Sequence, residues 1–202
     1  MPSRGIAPRA HASAHRRGFS LFELLIVIAI ATAISAMAAP QLMSLMREGT
    51  VFEAGDKIRD AMGEARRFAI DTGIDYEFRY EVNGHMAVIL PAELERDVSE
   101  QGTSKTTEEY FRMLVELSED LTLRAAEGIE ESSERLDPVA FGNLTGTQLS
   151  QRSWSKPLLF RFDGTSDDFE LRVSDKEGLT SLIEVRGLTG AVRTGQVYTE
   201  DN

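Results

Sequence analysis

The chain has 202 residues, with 22 basic and 33 acidic side chains, a formal net charge of −11 and no cysteine. That length supports one modest hydrophobic core. The missing cysteines exclude a disulfide framework, and the acidic balance argues against nucleic acid as a partner.

The first 18 residues are basic, with Arg4, Arg9, Arg16 and Arg17 and no acidic residue, and they end in Gly18. From Phe19 to Ala39 the single formal charge is Glu23. A run of that length spans about 30 Å as a helix, enough to cross the hydrocarbon of a bilayer. A carboxylate costs about 2.5–3.5 kcal/mol at the membrane centre. Glu23 therefore calls for a compensating cation.

The run Gly18-Phe19-Ser20-Leu21-Phe22-Glu23-Leu24-Leu25 resembles the class III signal of type IV pilins and type II secretion pseudopilins. The resemblance implies cleavage between Gly18 and Phe19 by a prepilin peptidase and N-methylation of Phe19. It also implies that Glu23, at the fifth mature position, neutralises the N-terminal amine of a neighbouring subunit. Pro40 falls where many pilins have a helix-kinking proline. Two other readings of the segment stand beside this one. Ala36-Met37-Ala38 before Ala39 forms an acceptable site for an ordinary secretory signal, and the run would also serve as an unprocessed anchor. Neither accounts for Gly18, Phe19 and Glu23 together.

Without the four leader arginines the basic residues fall to 18 against 33 acidic ones, a net charge of −15. Arginines before the apolar run and acidic bulk after it place the N-terminus in the cytoplasm and the remainder in the periplasm. The expected organisation is a leader over 1–18, a transmembrane and fibre-core helix over 19–40, an amphipathic continuation over 41–72, and a β-rich head over 73–202. An acidic insertion is expected within that head at about 91–155.

Over 41–72 the apolar residues Leu42, Leu45, Met46, Val51, Phe52, Ile58, Met62, Ala65, Phe68 and Ala69 recur at helical intervals. Gly49, Gly55 and Gly63 weaken this helix, with local bending or melting expected near 49–55, and Gly73 is the expected stop. The period then changes to two. Ile74, Tyr76, Phe78, Tyr80 and Val82 alternate with polar residues, and Asn83-Gly84 leads into 86–90. This predicts a hairpin with a type I′ turn.

Residues 91–137 carry 14 acidic and five basic side chains. They read as a solvated insertion, with Glu127–Glu134 an exposed loop. The alternative is a recognition surface for another subunit or a secreted substrate, and a deletion of 126–137 is then expected to leave folding and membrane insertion intact but to impair assembly or export. Within the segment, Tyr110, Met113, Leu114 and Leu117 suggest a short helical stripe and 121–123 a strand. Beyond it, 157–162, 169–173, 182–186 and 190–193 read as strands, with a turn at Asp163-Gly164. Helix first and antiparallel strands after predict an α+β fold, a long N-terminal helix packed on a C-terminal antiparallel sheet.

This order is similar to the minor pseudopilin H group of type II secretion systems and the related FimT-like minor pilins. The finer match lies in Glu64–Ile70, in Phe160-Arg161-Phe162-Asp163-Gly164-Thr165-Ser166, in Ile183-Glu184-Val185 and in Thr189-Gly190-Ala191-Val192. It implies a structural, non-enzymatic subunit of a periplasmic fibre that supports protein export. Its partners would be other pseudopilins or pilins, an inner-membrane assembly platform and membrane lipid, with no nucleic acid. A FimT-like pilin in pilus assembly or DNA uptake, or a secreted or tethered periplasmic protein, are the alternatives.

Chemistry-bearing constellations are sparse, and no cofactor is expected. His11 and His15 fall in the leader, leaving His85 at a turn as a solvated residue. Asp163, Asp167 and Asp168 offer oxygen ligands but lack the spacing of a calcium loop, which favours a turn. Trp154, between two serines, reads as core or interface, and 142–146 lack the lysine of a phosphate-binding loop.

Overall fold

Gly73 ends the long N-terminal helix, α1 (Leu21–Thr72). Its φ of +72° suits a residue without Cβ, and its N–H donates to the Ala69 carbonyl at 3.0 Å. The computed structural model describes residues 20–92, 110–126, 131–142, 144 and 148–199. The chain divides into two units, Met1–Ser44 and Leu45–Asn202.

In the first unit the described side chains of α1 are all exposed. In the second, Val51, Ala54, Ile58, Ala61, Met62, Ala65 and Ala69 are buried along one stripe of α1. This is the 3–4 spacing of the sequence put to use. α1 remains helical across 49–55, so no melting occurs there. Gly55 has a packing reason instead. A Cβ at this position would meet Ser181 Oγ at 2.6 Å and Thr194 Cγ2 at 3.0 Å, so glycine lets α1 lie directly on the sheet.

Eleven strands follow among the described residues: β1 (Tyr76–Tyr80), β2 (Met86–Pro91), β3 (Met113–Glu116), β4 (Leu121–Ala125), β5 (Ser133–Glu134), β6 (Trp154–Ser155), β7 (Leu158–Phe160), β8 (Phe169–Asp175), β9 (Leu179–Arg186), β10 (Ala191–Thr194) and β11 (Tyr198–Thr199). They form two principal antiparallel sheets, which make up the β-sheet head. One has the order β3-β2-β1-β7 and the other β10-β9-β8-β4, with β11 also pairing β9. β5 and β6 form a separate two-stranded ribbon. The fold is α+β, with the second half of α1 packed on these sheets.

The principal core joins the buried stripe of α1 to Tyr76, Phe78, Ile89 and Phe160 of the first sheet and Leu123, Leu171, Val173 and Ile183 of the second. A smaller cluster lies on the other face of the first sheet, where Met86, Val88 and Leu90 meet Phe141, Leu149 and Trp154. Both faces of β2 are therefore covered, and all six of its residues are buried.

That double burial explains the first correction. Residues 113–116 form β3, paired with β2 in the register Val88↔Leu114 and Ile89↔Met113, not a helical stripe. Val115 and Leu117 enter the principal core while Leu114 packs on the smaller cluster. With apolar residues on both faces, the period of two is lost from the sequence. The second correction is the hairpin turn. Glu81 N donates to Met86 O at 2.8 Å, leaving a four-residue loop at 82–85. Asn83 alone in that loop has a left-handed φ, 57°, where a type I′ turn needs two such residues.

The described parts of 91–155 supply β3 to the first sheet, β4 to the second, and Phe141, Leu149 and Trp154 to the smaller cluster. Trp154 is fully buried, and its Nε1–H donates to the Leu149 carbonyl at 2.8 Å.

Candidate functional site: the N-terminal segment and the head surface

Glu23 lies in the first turn of α1, where Leu24 N donates to Ser20 O at 3.1 Å. The free N–H groups of a helix start carry partial positive charge and favour a carboxylate there. That partial charge does not replace a counter-ion. Glu23 is exposed, and none of the ion pairs among the described residues includes it. The next basic residue after Arg17 is Arg47, whose guanidinium is engaged by Asp175 and Glu177. Gly18 and Phe19 lie outside the described residues, and Pro40 lies within α1.

Around Glu23 the helix presents Leu21, Phe22, Leu24, Leu25, Val27 and Ile28, all more than half exposed. Apolar area costs about 25 cal/mol per Å² in water, so a helix apolar on all sides needs lipid or other helices around it. By length and composition α1 is able to cross a membrane, with a mean hydropathy of 2.3 over its most apolar window.

The head positions its remaining sequence candidates in turns and core. Asp163 Oδ1 accepts from Thr165 N at 2.9 Å and from Thr165 Oγ1 at 2.7 Å, and these bonds hold its carboxyl below the usual range. Asp167 accepts from Leu159 N and pairs with Arg161, while Asp168 accepts from Gly187 N at 2.8 Å. Each carboxylate is spent on a separate loop contact, as a turn requires. Gly164, with φ +85°, completes that turn. His85, the last residue of the 82–85 loop, is half-buried and lies 3.9 Å from Glu116.

A cluster that the sequence did not reveal lies around β1. Arg79 has only 10% of its side chain exposed and pairs with Glu77 and with Glu134, and it also donates to the Ser155 carbonyl at 3.2 Å. Burial lowers its pKa, but the bonds to Glu77 and Glu134 outweigh that and leave it raised. Beside it, Glu131 Oε1 accepts from the Tyr80 hydroxyl at 3.0 Å and from Ala125 N at 2.7 Å. Burial, and then the Glu131 charge, push the Tyr80 phenol up. In the alternation around β1, Arg79 reads as an outward residue. No local signal tells that residues more than fifty positions later cover it.

Comparison with known proteins bears on both ends of this description. Residues 13–39 match the prokaryotic N-terminal methylation motif. Among curated proteins none matches the chain. The fold is similar to a structure of the minor pseudopilin EpsH from the Type 2 Secretion System of Vibrio cholerae, with 15% identity and a TM-score of 0.44, covering 73% of this chain and 97% of that one. A second structure of that pseudopilin covers 76% of this chain and 99% of its own, at 16% identity and a TM-score of 0.46. A likeness of this degree carries no function with it. What the comparisons show of this chain is therefore the prokaryotic N-terminal methylation motif over residues 13–39.

Proposed function

We propose that this chain is a structural minor pseudopilin of a type II secretion system. The leader over 1–18 is removed by a prepilin peptidase between Gly18 and Phe19, and Phe19 is N-methylated. Until assembly, the first part of α1 sits in inner-membrane lipid as a single span, with the N-terminus cytoplasmic and the head periplasmic. The inner-membrane platform then draws the subunit into a periplasmic fibre, where its apolar helix exchanges lipid for the helices of other pseudopilins. Pro40 bends this helix as it packs.

The observation that carries the reading is the methylation motif over 13–39 with one carboxylate, Glu23, inside its apolar run. A carboxylate surrounded by apolar helices is tolerated only when paired. The amine of Phe19 on an adjacent subunit is a cation of the right sign, and each added subunit would supply one. Pairing lowers the cost of leaving lipid and fixes the axial register of the incoming chain. The head supplies a stable outer surface; its acidic balance suits a periplasmic protein that meets other proteins rather than DNA.

The reading is tested in the source bacterium. Deleting the gene should abolish export of secreted proteins across the outer membrane while leaving them in the periplasm, with complementation restoring export. Unchanged export, with a loss of surface pili or of DNA uptake instead, would move the chain to the pilus class.

A further inference from the structure

The segment 131–134 is bound to the head like a ligand. Its main chain pairs with β6 in the register Ser133↔Ser155 and Glu134↔Trp154. Its two carboxylates, three residues apart, take the Arg79 guanidinium and the Tyr80 hydroxyl with the Ala125 N–H. None of its four side chains is buried. A cavity of about 190 Å³ remains beside Ser132, with Tyr80, Pro157, Leu158 and Phe169 as the apolar part of its wall and Lys156 and Asp167 as charged members of it. Tyr80 and Phe169 form a tilted aromatic pair in that wall, with centroids 6.2 Å apart. The carboxylates fit their partners, while the serine leaves the apolar space unfilled.

We infer that this is a binding site for an extended acidic segment of a protein partner, occupied here by the chain's own 131–134 as a displaceable strap. The favoured segment has two carboxylates three residues apart and a bulky aliphatic residue directly after the first. Such a segment repeats every polar contact of the strap: a strand against β6, one carboxylate on Arg79, and the other on Tyr80 and Ala125. It also fills the cavity that Ser132 leaves. Charge complementarity favours an acidic segment, because Arg79, held on one side by Glu77, takes its second carboxylate from the strap and loses it when the strap leaves. The inference is independent of the assembly reading, since it rests on the head alone.

The test uses the full chain in detergent micelles and a capped, fluorescein-labelled peptide copying residues 129–136, with leucine at the position of Ser132. Anisotropy is corrected for binding to micelles alone. The E131Q/E134Q chain, whose own strap has lost both charges, should bind this peptide about tenfold or more tighter than the wild-type chain does, as charge-assisted hydrogen bonds would give. The same peptide with glutamine at the positions of Glu131 and Glu134 should lose that gain. Equal binding by both chains, no binding to E131Q/E134Q, or indifference to the peptide carboxylates would overturn the proposal. S132L in the otherwise wild-type chain is an independent arm that needs no peptide: the proposal expects its Tm to rise as the cavity fills, and a fall would count against the site.

Discussion

Replacing Glu23 with leucine is expected to leave the chain processed and membrane-inserted but to remove it from assembled fibres. Leucine suits lipid better than glutamate does, so insertion gains rather than loses. The proposed cleavage is at Gly18, five residues earlier, and the basic residues before the run are unchanged. Assembly is different, because the Phe19 amine of an adjacent subunit would then enter an apolar core without its carboxylate. Breaking a buried pair by removing one partner costs about 3–5 kcal/mol, so the subunit in sheared fibres should fall at least about tenfold at equal membrane levels. Immunoblots of the membrane and sheared fractions measure both quantities, and wild-type incorporation of Glu23→Leu would remove the carboxylate from the assembly account.

The second large effect is in the head. Trp154→Ala should destabilise it by about 3–5 kcal/mol, as large-to-small core changes of aromatic residues do. Trp154 is fully buried, packs at 5.8 Å from the Phe141 ring, and donates its Nε1–H to the Leu149 carbonyl. The substitution empties the centre of the smaller cluster and removes one of that carbonyl's two donors, leaving the Arg152 N–H. Against a total stability of about 5–15 kcal/mol, the loss should appear as a large fall in Tm. Trp154→Phe, which keeps an aromatic ring and loses only the donor, should lose less. Trp154 is the sole tryptophan, so unfolding has to be followed by circular dichroism. A Tm within a degree or two of wild type for Trp154→Ala would mean that the second cluster is not part of the cooperative core.

What was legible in the sequence were the features written in consecutive residues. The apolar run with Glu23 inside it, the 3–4 spacing from Val51 to Ala69, the stop at Gly73 and the alternation through β1 depend on neighbours within one or two turns. The strands at 121–125, 158–160, 169–175, 179–186 and 191–194 were readable for the same reason. Features set by distant partners were not. β3 looked helical because both of its faces meet apolar clusters, and the division into two sheets depends on which edges meet, as when β7 joins β1 while β8 joins β4. The 82–85 loop was misread because Asn-Gly favours a two-residue turn only if the register places the strands next to it. Glu131 and Glu134 are exposed, as the acidic run suggests, but their bonds to Tyr80 and Arg79 come from across the fold and leave no local signal.

That last point revises an expectation about the acidic stretch. A deletion of 126–137 removes the carboxylates that hold Arg79 and Tyr80, together with the half-buried Leu136 beside the smaller cluster. It would strip a buried guanidinium of a partner rather than trim a free loop. Carboxylate-to-amide substitutions at Glu131 and Glu134 are the cleaner probe, because they keep the main-chain pairing with β6 intact.

The assembly account stands or falls on where the mature chain begins. Intact mass and N-terminal sequencing of the protein purified from the membrane of its source bacterium answer this directly. The account predicts a chain starting at Phe19 and heavier by one methyl group on its amine. A chain starting at Ala39, or one that keeps its basic leader from Met1, would contradict it.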